Sequence, residues 1–146
     1  MKKRMIGTLL GFLAMFGFGA IYYGLLTAEA GAEMAANFAS CMHAEPNMPY
    51  IILANVMGAY LLVYTFDKMG VNDAKAGAYQ GAMIMAIVFA MSNLFMGAQF
   101  TIWDTQGLLI EWGVGIVHGV LGGAAIGAPM NRLDIANTIA MIIAPW

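Results

Sequence analysis

The six basic residues of this chain occupy only one side of a series of four apolar segments. Lys2, Lys3 and Arg4 precede the first segment, Lys68 and Lys75 lie between the second and third, and Arg132 follows the fourth. The other two connections, about residues 28–48 and 102–107, carry Glu29, Glu33, Glu45 and Asp104 but no Lys or Arg. Polytopic membrane proteins keep their basic loops in the cytoplasm. The pattern therefore predicts four membrane spans with both termini in the cytoplasm.

Composition points to the same class of protein. Hydrophobic residues make up 62% of the 146-residue chain, and the mean hydropathy is +0.77. Charged residues make up 10%, against about 25% in a typical soluble domain. A soluble domain of this size buries only about 70% of the surface of its unfolded chain, too little to hide so many apolar side chains. We therefore predict one domain, residues 1–146, folded as an all-α integral membrane four-helix bundle.

The apolar segments place the spans at about residues 5–26, 50–66, 77–102 and 108–128. The first apolar run is longer than the core of a signal peptide, so we expect it to be retained as a span. Asn72 or Asp73 is expected to cap the third helix by accepting hydrogen bonds from its free N–H groups. Pro129 is expected to end the fourth helix, because proline lacks the N–H that a helix interior needs.

Two further segments are predicted to lie along the membrane surface. The stretch from Ala28 to His43 is rich in Ala, Met and Glu, which predicts a short helix in the outer interface. Residues 135–146 are mostly apolar but too few to cross a bilayer. We expect this C-terminal segment to lie in the inner interface or against a neighbouring subunit.

Small residues recur at helical spacing on the third and fourth helices. Small residues let helix backbones approach closely inside a membrane, where apolar contact alone gives no advantage over lipid. The series on the fourth helix is Gly115, Gly119, Gly123 and Gly127, and that on the third includes Ala78, Ala82 and Ala86 beside Gly77 and Gly81. The stripes predict either close packing within one subunit or a glycine face that forms a subunit interface or admits a ligand.

Two ionisable residues, Glu111 and His118, lie within the predicted spans, where such groups often mark function. Seven positions on a helix bring them to within about 20° of one another and separate them by roughly 10 Å. Gly115 and Gly122 share their face, so a slot for a cation, a protonatable substrate or a cofactor edge is predicted. Alternatively, Glu111 reaches outer water, and His118 hydrogen-bonds to Asn93, Ser92 or a backbone carbonyl.

The outer connection contains soft metal ligands but no recognised metal motif. Thioether, thiol and imidazole groups suit Cu(I), and methionine is also a common filler of apolar surfaces. The residues concerned are Met34, Cys41, Met42, His43 and Met48. We predict no metal and no cofactor, while a copper site in this loop stays open. A haem would need His118 and its copy in a two-fold dimer.

Gly7-Thr8-Leu9-Leu10-Gly11, followed by Gly19-Ala20-Ile21-Tyr22-Tyr23-Gly24, resembles the opening of small bacterial four-span membrane proteins classed as domains of unknown function. The turn from Met69-Gly70 to Gly77 is similar to theirs as well. The resemblance extends over most of the chain and implies the four-span fold. It implies no activity and no site residues.

The sequence contains no nucleophile–base pair and no basic patch beyond its N-terminal cluster, so we predict neither an enzyme nor a nucleic-acid-binding protein. The leading hypothesis is a structural or assembly role in a homo-oligomer or membrane complex, with a small ligand bound at the fourth helix. The alternatives are a small-solute or ion transporter or channel that uses Glu111 and His118, and a metal- or haem-binding membrane protein. Short loops favour the bacterial inner membrane.

Overall fold

The computed structural model describes the backbone of residues 2–40, 43, 45–100 and 104–143, and their side chains except those of residues 2 and 130–143. This part of the chain forms five α-helices and one π-helical turn, without any β-strand. The helices are α1 (Lys2–Ile21), α2 (Ala28–Asn37), α3 (Met48–Met69), α4 (Ala74–Gln99) and α5 (Thr105–Ile143). The π-helical turn, Tyr22–Leu26, extends α1.

Four segments are long and apolar enough to cross a membrane, as predicted: Lys3–Leu26, Met48–Met69, Ala74–Gln99 and Thr105–Pro129. Large apolar side chains are exposed on all of them, including Leu9 at 57% and Leu94 at 72%. Exposed apolar surface of this extent marks an interaction surface for a membrane or for other proteins. The structure confirms the all-α class and the number of long apolar helices.

Neighbouring long helices run antiparallel, so the described basic residues collect at one end of the bundle. We call this the basic end; it contains the N-termini of α1 and α4 and the C-terminus of α3. Arg4 at the start of α1 donates through Nε to the Asp67 carboxylate near the end of α3, at 3.1 Å, and through its terminal nitrogen as well. The opposite, acidic end carries α2 and the start of α5.

The turn between α3 and α4 shows how the sequence sets the helix ends. Gly70 ends α3 in the left-handed conformation, with φ at 68°, which costs glycine little because it has no Cβ. Its N–H and that of Val71 both donate to the Phe66 carbonyl. Asp73 then caps α4 by accepting a hydrogen bond from the Ala76 N–H at 2.9 Å. The predicted cap is therefore confirmed.

Several predicted helix limits were wrong. Helix α3 extends to Met69 instead of 66, and α4 spans Ala74–Gln99 instead of 77–102. Helix α5 begins at Thr105, where the Asp104 carboxylate accepts a hydrogen bond from the Gly107 N–H at 2.7 Å. It also continues through Pro129 to Ile143. Proline removes only one i→i−4 hydrogen bond, and an otherwise apolar helix tolerates that loss.

Helices α4 and α5 cross closely along a line of glycines. A Cβ on Gly81 would overlap the Gly119 carbonyl oxygen and lie 3.0 Å from the Gly123 Cα. A Cβ on Gly77 would likewise overlap the Gly123 carbonyl oxygen. The two backbones are therefore in direct contact, and any larger residue would force them apart. The predicted close packing by small residues occurs within one chain, between α4 and α5.

The core lies towards the basic end of the bundle, and the acidic half is more open. The fully buried side chains of α3 are Ala59, Leu62, Val63 and Phe66, and they pack with Met15, Val71, Met85 and Ile126. By contrast, residues 48–54 at the start of α3 are all exposed. Helix α1 packs against α3 and α5, whereas α3 and α4 touch only briefly. This leaves space between α1, α3 and α5 at the acidic end.

Candidate ligand-binding site

The acidic end of α1 is shaped by the π-helical turn. The Thr27 N–H donates to the Tyr22 carbonyl at 2.9 Å, which is the i→i−5 hydrogen bond of a π-helix. The Thr27 hydroxyl donates to the same carbonyl at 3.0 Å. A single π-helical turn inserts one residue into a helix, so the side chains beyond it change face, and such turns often occur at functional sites. Tyr22 and Tyr23 lie within this turn.

Tyr23 connects α1 to α5. Its hydroxyl donates a hydrogen bond of 2.6 Å to the Glu111 carboxylate. Glu111 lies in the second turn of α5, and its side chain is half-buried. A carboxylate has about four lone-pair positions, so this hydrogen bond leaves acceptor capacity on Glu111. The pair thus places a partly free carboxylate at the acidic end of the α1–α5 contact.

His118 lies two turns further along α5, in the middle of the bundle. The side chain is 6% exposed, and its Nδ1 lies 3.1 Å from the Val114 carbonyl oxygen. Because a carbonyl only accepts, Nδ1 carries the proton in this hydrogen bond. The edge of the ring meets Phe18 of α1 at a centroid distance of 4.8 Å, and its face stacks near Phe89 of α4 at 6.0 Å. The imidazole is therefore fixed between two aromatic rings.

One wall of a cavity of about 570 Å³ is formed by His118. We call this the His118 cavity; it is lined by Phe16, Gly19, Ala20, Tyr23, Gly24, Pro46, Met48, Ile51, Asn55 and His118. A Cβ on Gly19 would lie 3.4 Å from Nε2 of His118, so the small residues of α1 bring this nitrogen close to the cavity. The walls are otherwise mostly apolar. The cavity can accommodate a drug-sized or lipid-like apolar group.

A second cavity, of about 870 Å³, adjoins the first at the acidic end. We call it the Glu111 cavity; it lies between the π-helical turn, α2, the loop before α3 and the start of α5. Its polar side chains are Tyr22, Tyr23, Thr27, His43, Asn47 and Glu111. Tyr23 and Pro46 line both cavities. Together the two cavities combine an apolar compartment with a polar one, as the binding of an amphiphile requires.

The structure brings part of the predicted slot on α5 together. Glu111, His118 and Gly122 all face α1. However, neither of the two predicted glycines, Gly115 and Gly122, opens a cavity. Met15 fills the space beside Gly122, where an added Cβ would lie 2.7 Å from the Met15 Cγ. The Phe89 ring occupies the position beside Gly115, on the α4 side. The open space lies instead beside the small residues of α1.

The remaining predicted residues lie away from the two cavities. The Asn93 side chain donates to the Leu108 carbonyl at 3.1 Å, so it joins α4 to α5 and does not contact His118. Gly119, Gly123 and Gly127 are buried in the α4–α5 crossing. Ala78, Ala82 and Ala86 are half-buried beside that crossing. The Ala86 carbonyl accepts a hydrogen bond from Trp112 of α5 at 2.8 Å.

The candidate copper ligands are divided between the two cavities. Met34 and His43 line the Glu111 cavity, and Met48 lines the His118 cavity. Cys41 and Met42 lie outside the described residues. Within the described ranges, no three His, Cys, Asp or Glu side chains gather as a metal site would require.

Tyr23 and Asn55 were not among the predicted site residues. The signal was present on α1, where Phe16, Gly19, Ala20 and Tyr23 recur at spacings of three and four residues. This spacing places them on one face of a helix. Recognising a cavity there also required the position of α3, which no local pattern supplies.

Comparison of the chain with protein-family models, with curated proteins and with solved structures gives no match. The resemblance to four-span membrane proteins of unknown function therefore stays a prediction.

Proposed function

We propose that this chain is an integral membrane protein that binds a small amphiphilic molecule from the outer half of the bilayer. The apolar part of the ligand occupies the His118 cavity, and its polar part lies in the Glu111 cavity. The basic end faces the cytoplasm, in accordance with the distribution of Lys and Arg. The role is non-enzymatic, and association with copies of the chain or with a larger complex in the bacterial inner membrane stays part of the proposal.

The observation that carries the proposal is the His118 cavity. Ligand sites are mainly apolar and contain a few placed polar groups, and their volumes are typically about 300–1,000 Å³. At about 570 Å³, the cavity falls within that range, and His118 supplies a polar atom at its wall. An ionisable side chain at this depth is costly unless it is used or well paired.

Native mass spectrometry from a mild detergent tests the proposal. We expect the wild-type protein to retain an organic molecule of defined mass. In the variant Gly24→Leu, a large side chain replaces a glycine of the cavity wall, and we expect the adduct to be lost. Gly17→Leu is the matched control, because Gly17 is on the same helix, lines neither cavity and also has nothing within 4 Å of an added Cβ.

Two results would contradict the proposal. One is a wild-type protein without any retained molecule, even after incubation with membrane extract. The other is solute flux in proteoliposomes that Glu111→Gln abolishes, which would instead support the transporter hypothesis. Co-purification with a defined membrane complex would identify the partner of the proposed assembly.

A further inference from the structure

The charges around the Glu111 cavity indicate which chemical class of amphiphile binds there. This inference rests on the proposed function. We infer that the ligand is a lipophilic amine with a single hydrocarbon tail. Its protonated amine contacts the Glu111 carboxylate, and its tail extends into the His118 cavity.

No Lys or Arg competes for Glu111, and His43 is the imidazole that lines the same cavity among the described residues. The sequence contains no Lys or Arg between Arg4 and Lys68, or between Lys75 and Arg132. The segments that surround the Glu111 cavity fall within these two intervals. The Tyr23 hydroxyl is the hydrogen-bond donor to Glu111 in the part of the chain that the structure describes. Phenol is neutral, so neither Tyr23 nor a Lys or Arg brings a positive charge to this carboxylate.

Two aromatic rings line the same cavity as this carboxylate. Tyr22 and Tyr23 meet edge to face at a centroid distance of 4.9 Å, and both line the Glu111 cavity. Aromatic faces attract cations, most strongly where water is excluded. A carboxylate together with tyrosine rings is therefore suited to an ammonium group. Thr27 does not add a donor to the site, since its hydroxyl donates to the Tyr22 carbonyl.

The same charges disfavour the other common head groups. A phosphate or a fatty-acid carboxylate would lie beside Glu111 with no Lys or Arg to balance it, and like charges repel strongly at short range in a medium of low dielectric constant. A neutral alcohol would gain one hydrogen bond but no charge attraction. A protonated amine gains both, because hydrogen bonds between charged groups are stronger than neutral ones.

The compartments for head and tail are adjacent. Tyr23 and Pro46 line both cavities, and we infer that the chain of the ligand passes beside these two residues. Beyond them, Phe16, Gly19, Ala20 and Ile51 provide apolar walls. His118 lies on the wall of this tail compartment, on the same helix as Glu111.

Three probes with the same tail test the head group: dodecylammonium, dodecanol and dodecanoate. Equilibrium binding of each radiolabelled probe is measured at pH 7 to the protein in lipid nanodiscs, with binding to empty nanodiscs subtracted. We expect dodecylammonium to bind the wild type about tenfold more tightly than dodecanol, the scale of a hydrogen bond between charged groups. Dodecanoate should bind most weakly.

Two neutralised variants locate the charge that matters. Glu111→Gln should lower dodecylammonium affinity to that of dodecanol and leave dodecanol binding unchanged, which also reports an intact fold. Glu29→Gln is the matched control, because Glu29 is on the acidic end but lines neither cavity. It should behave as the wild type.

The outcomes separate the two proposals. Equal binding of the three probes, blocked by Gly24→Leu, would overturn the amine class and leave amphiphile binding supported. Dodecylammonium that still binds Glu111→Gln about tenfold more tightly than dodecanol would also overturn the amine class, because the preference would then not come from the Glu111 charge. Absence of binding above that of empty nanodiscs for every probe would overturn both proposals.

Discussion

The Tyr23 side chain has two structural roles, one in the cavities and one at Glu111. It lines both cavities, and its hydroxyl holds the Glu111 carboxylate at 2.6 Å. A hydrogen bond between charged and neutral groups contributes more in a partly dry site than in water. The bond therefore fixes the position of the carboxylate that we propose receives the ligand.

Replacing Tyr23 by Phe removes this hydrogen bond and keeps the ring. We expect Tyr23→Phe to lower the free energy of unfolding by about 1.5 kcal/mol, the lower end of the range for a hydrogen bond to a charged group, because Tyr23 is partly exposed. Reversible unfolding in mixed micelles, followed by circular dichroism, measures the change. Tyr22→Phe is the control, because the Tyr22 hydroxyl has no hydrogen-bond partner within the described ranges. Equal losses in both variants would contradict the structural role of the Tyr23–Glu111 bond.

The sequence predicted part of this site at the residue scale. Glu111 and His118 are identifiable from one span, because an ionisable residue in an apolar helix is conspicuous. Tyr23 is an ordinary interfacial aromatic residue until α1 and α5 are placed side by side. The side chains that fill the space beside Gly122 and Gly115 were also unpredictable, since Met15 and Phe89 come from two other helices.

Helices α4 and α5 make the closest helix–helix contact. The spacing of four residues on α5 predicted a close approach, and the structure places α4 as its partner. Gly77 and Gly81 form the other side of the contact, with the half-buried alanines beside them. Sequence spacing indicates a smooth helix face but not which helix covers it, so the subunit-interface hypothesis was equally compatible with the pattern.

A single added methyl group tests this crossing. Gly119→Ala places a Cβ against the Gly81 carbonyl, so we expect a loss of about 1–3 kcal/mol in the free energy of unfolding, as for overpacked cores. Gly113→Ala is the control on the same helix, because an added Cβ meets nothing within 4 Å there. A folded Gly119→Ala monomer of unchanged stability, formed from a wild-type oligomer, would instead indicate a subunit interface.

The acidic half of the bundle is more open than the basic half, and this difference arises from the packing of the whole molecule. The buried core gathers near the basic end, while α3 begins with a stretch, residues 48–54, that contains no buried residue. Composition and spacing predicted four antiparallel apolar helices, because each local segment determines its own length. They did not predict the cavities, which depend on how α3 and the loop before it lie against α1 and α5 at the acidic end.

Cysteine accessibility tests the orientation of the whole molecule. In a Cys41→Ser background, we expect Glu29→Cys to react with a membrane-impermeant maleimide in intact cells. Lys75→Cys should react only after the membrane is made permeable, because basic loops stay in the cytoplasm. The reverse result would show that the basic end faces outward, and equal reaction at both sites would argue against a spanning arrangement.

Photoaffinity labelling shows where the tail of the bound ligand lies. A dodecylamine with a photoreactive group near the end of its tail is irradiated with the protein in nanodiscs, and the adducts are mapped by peptide mass spectrometry. We expect adducts on residues 16–24 of α1 and its π-helical turn and on residues 48–55 of α3, and their loss in Gly24→Leu. Adducts spread over the exposed apolar faces of α4, unchanged in that variant, would show that the probe reports only bulk lipid contact and would contradict ligand binding in the two cavities.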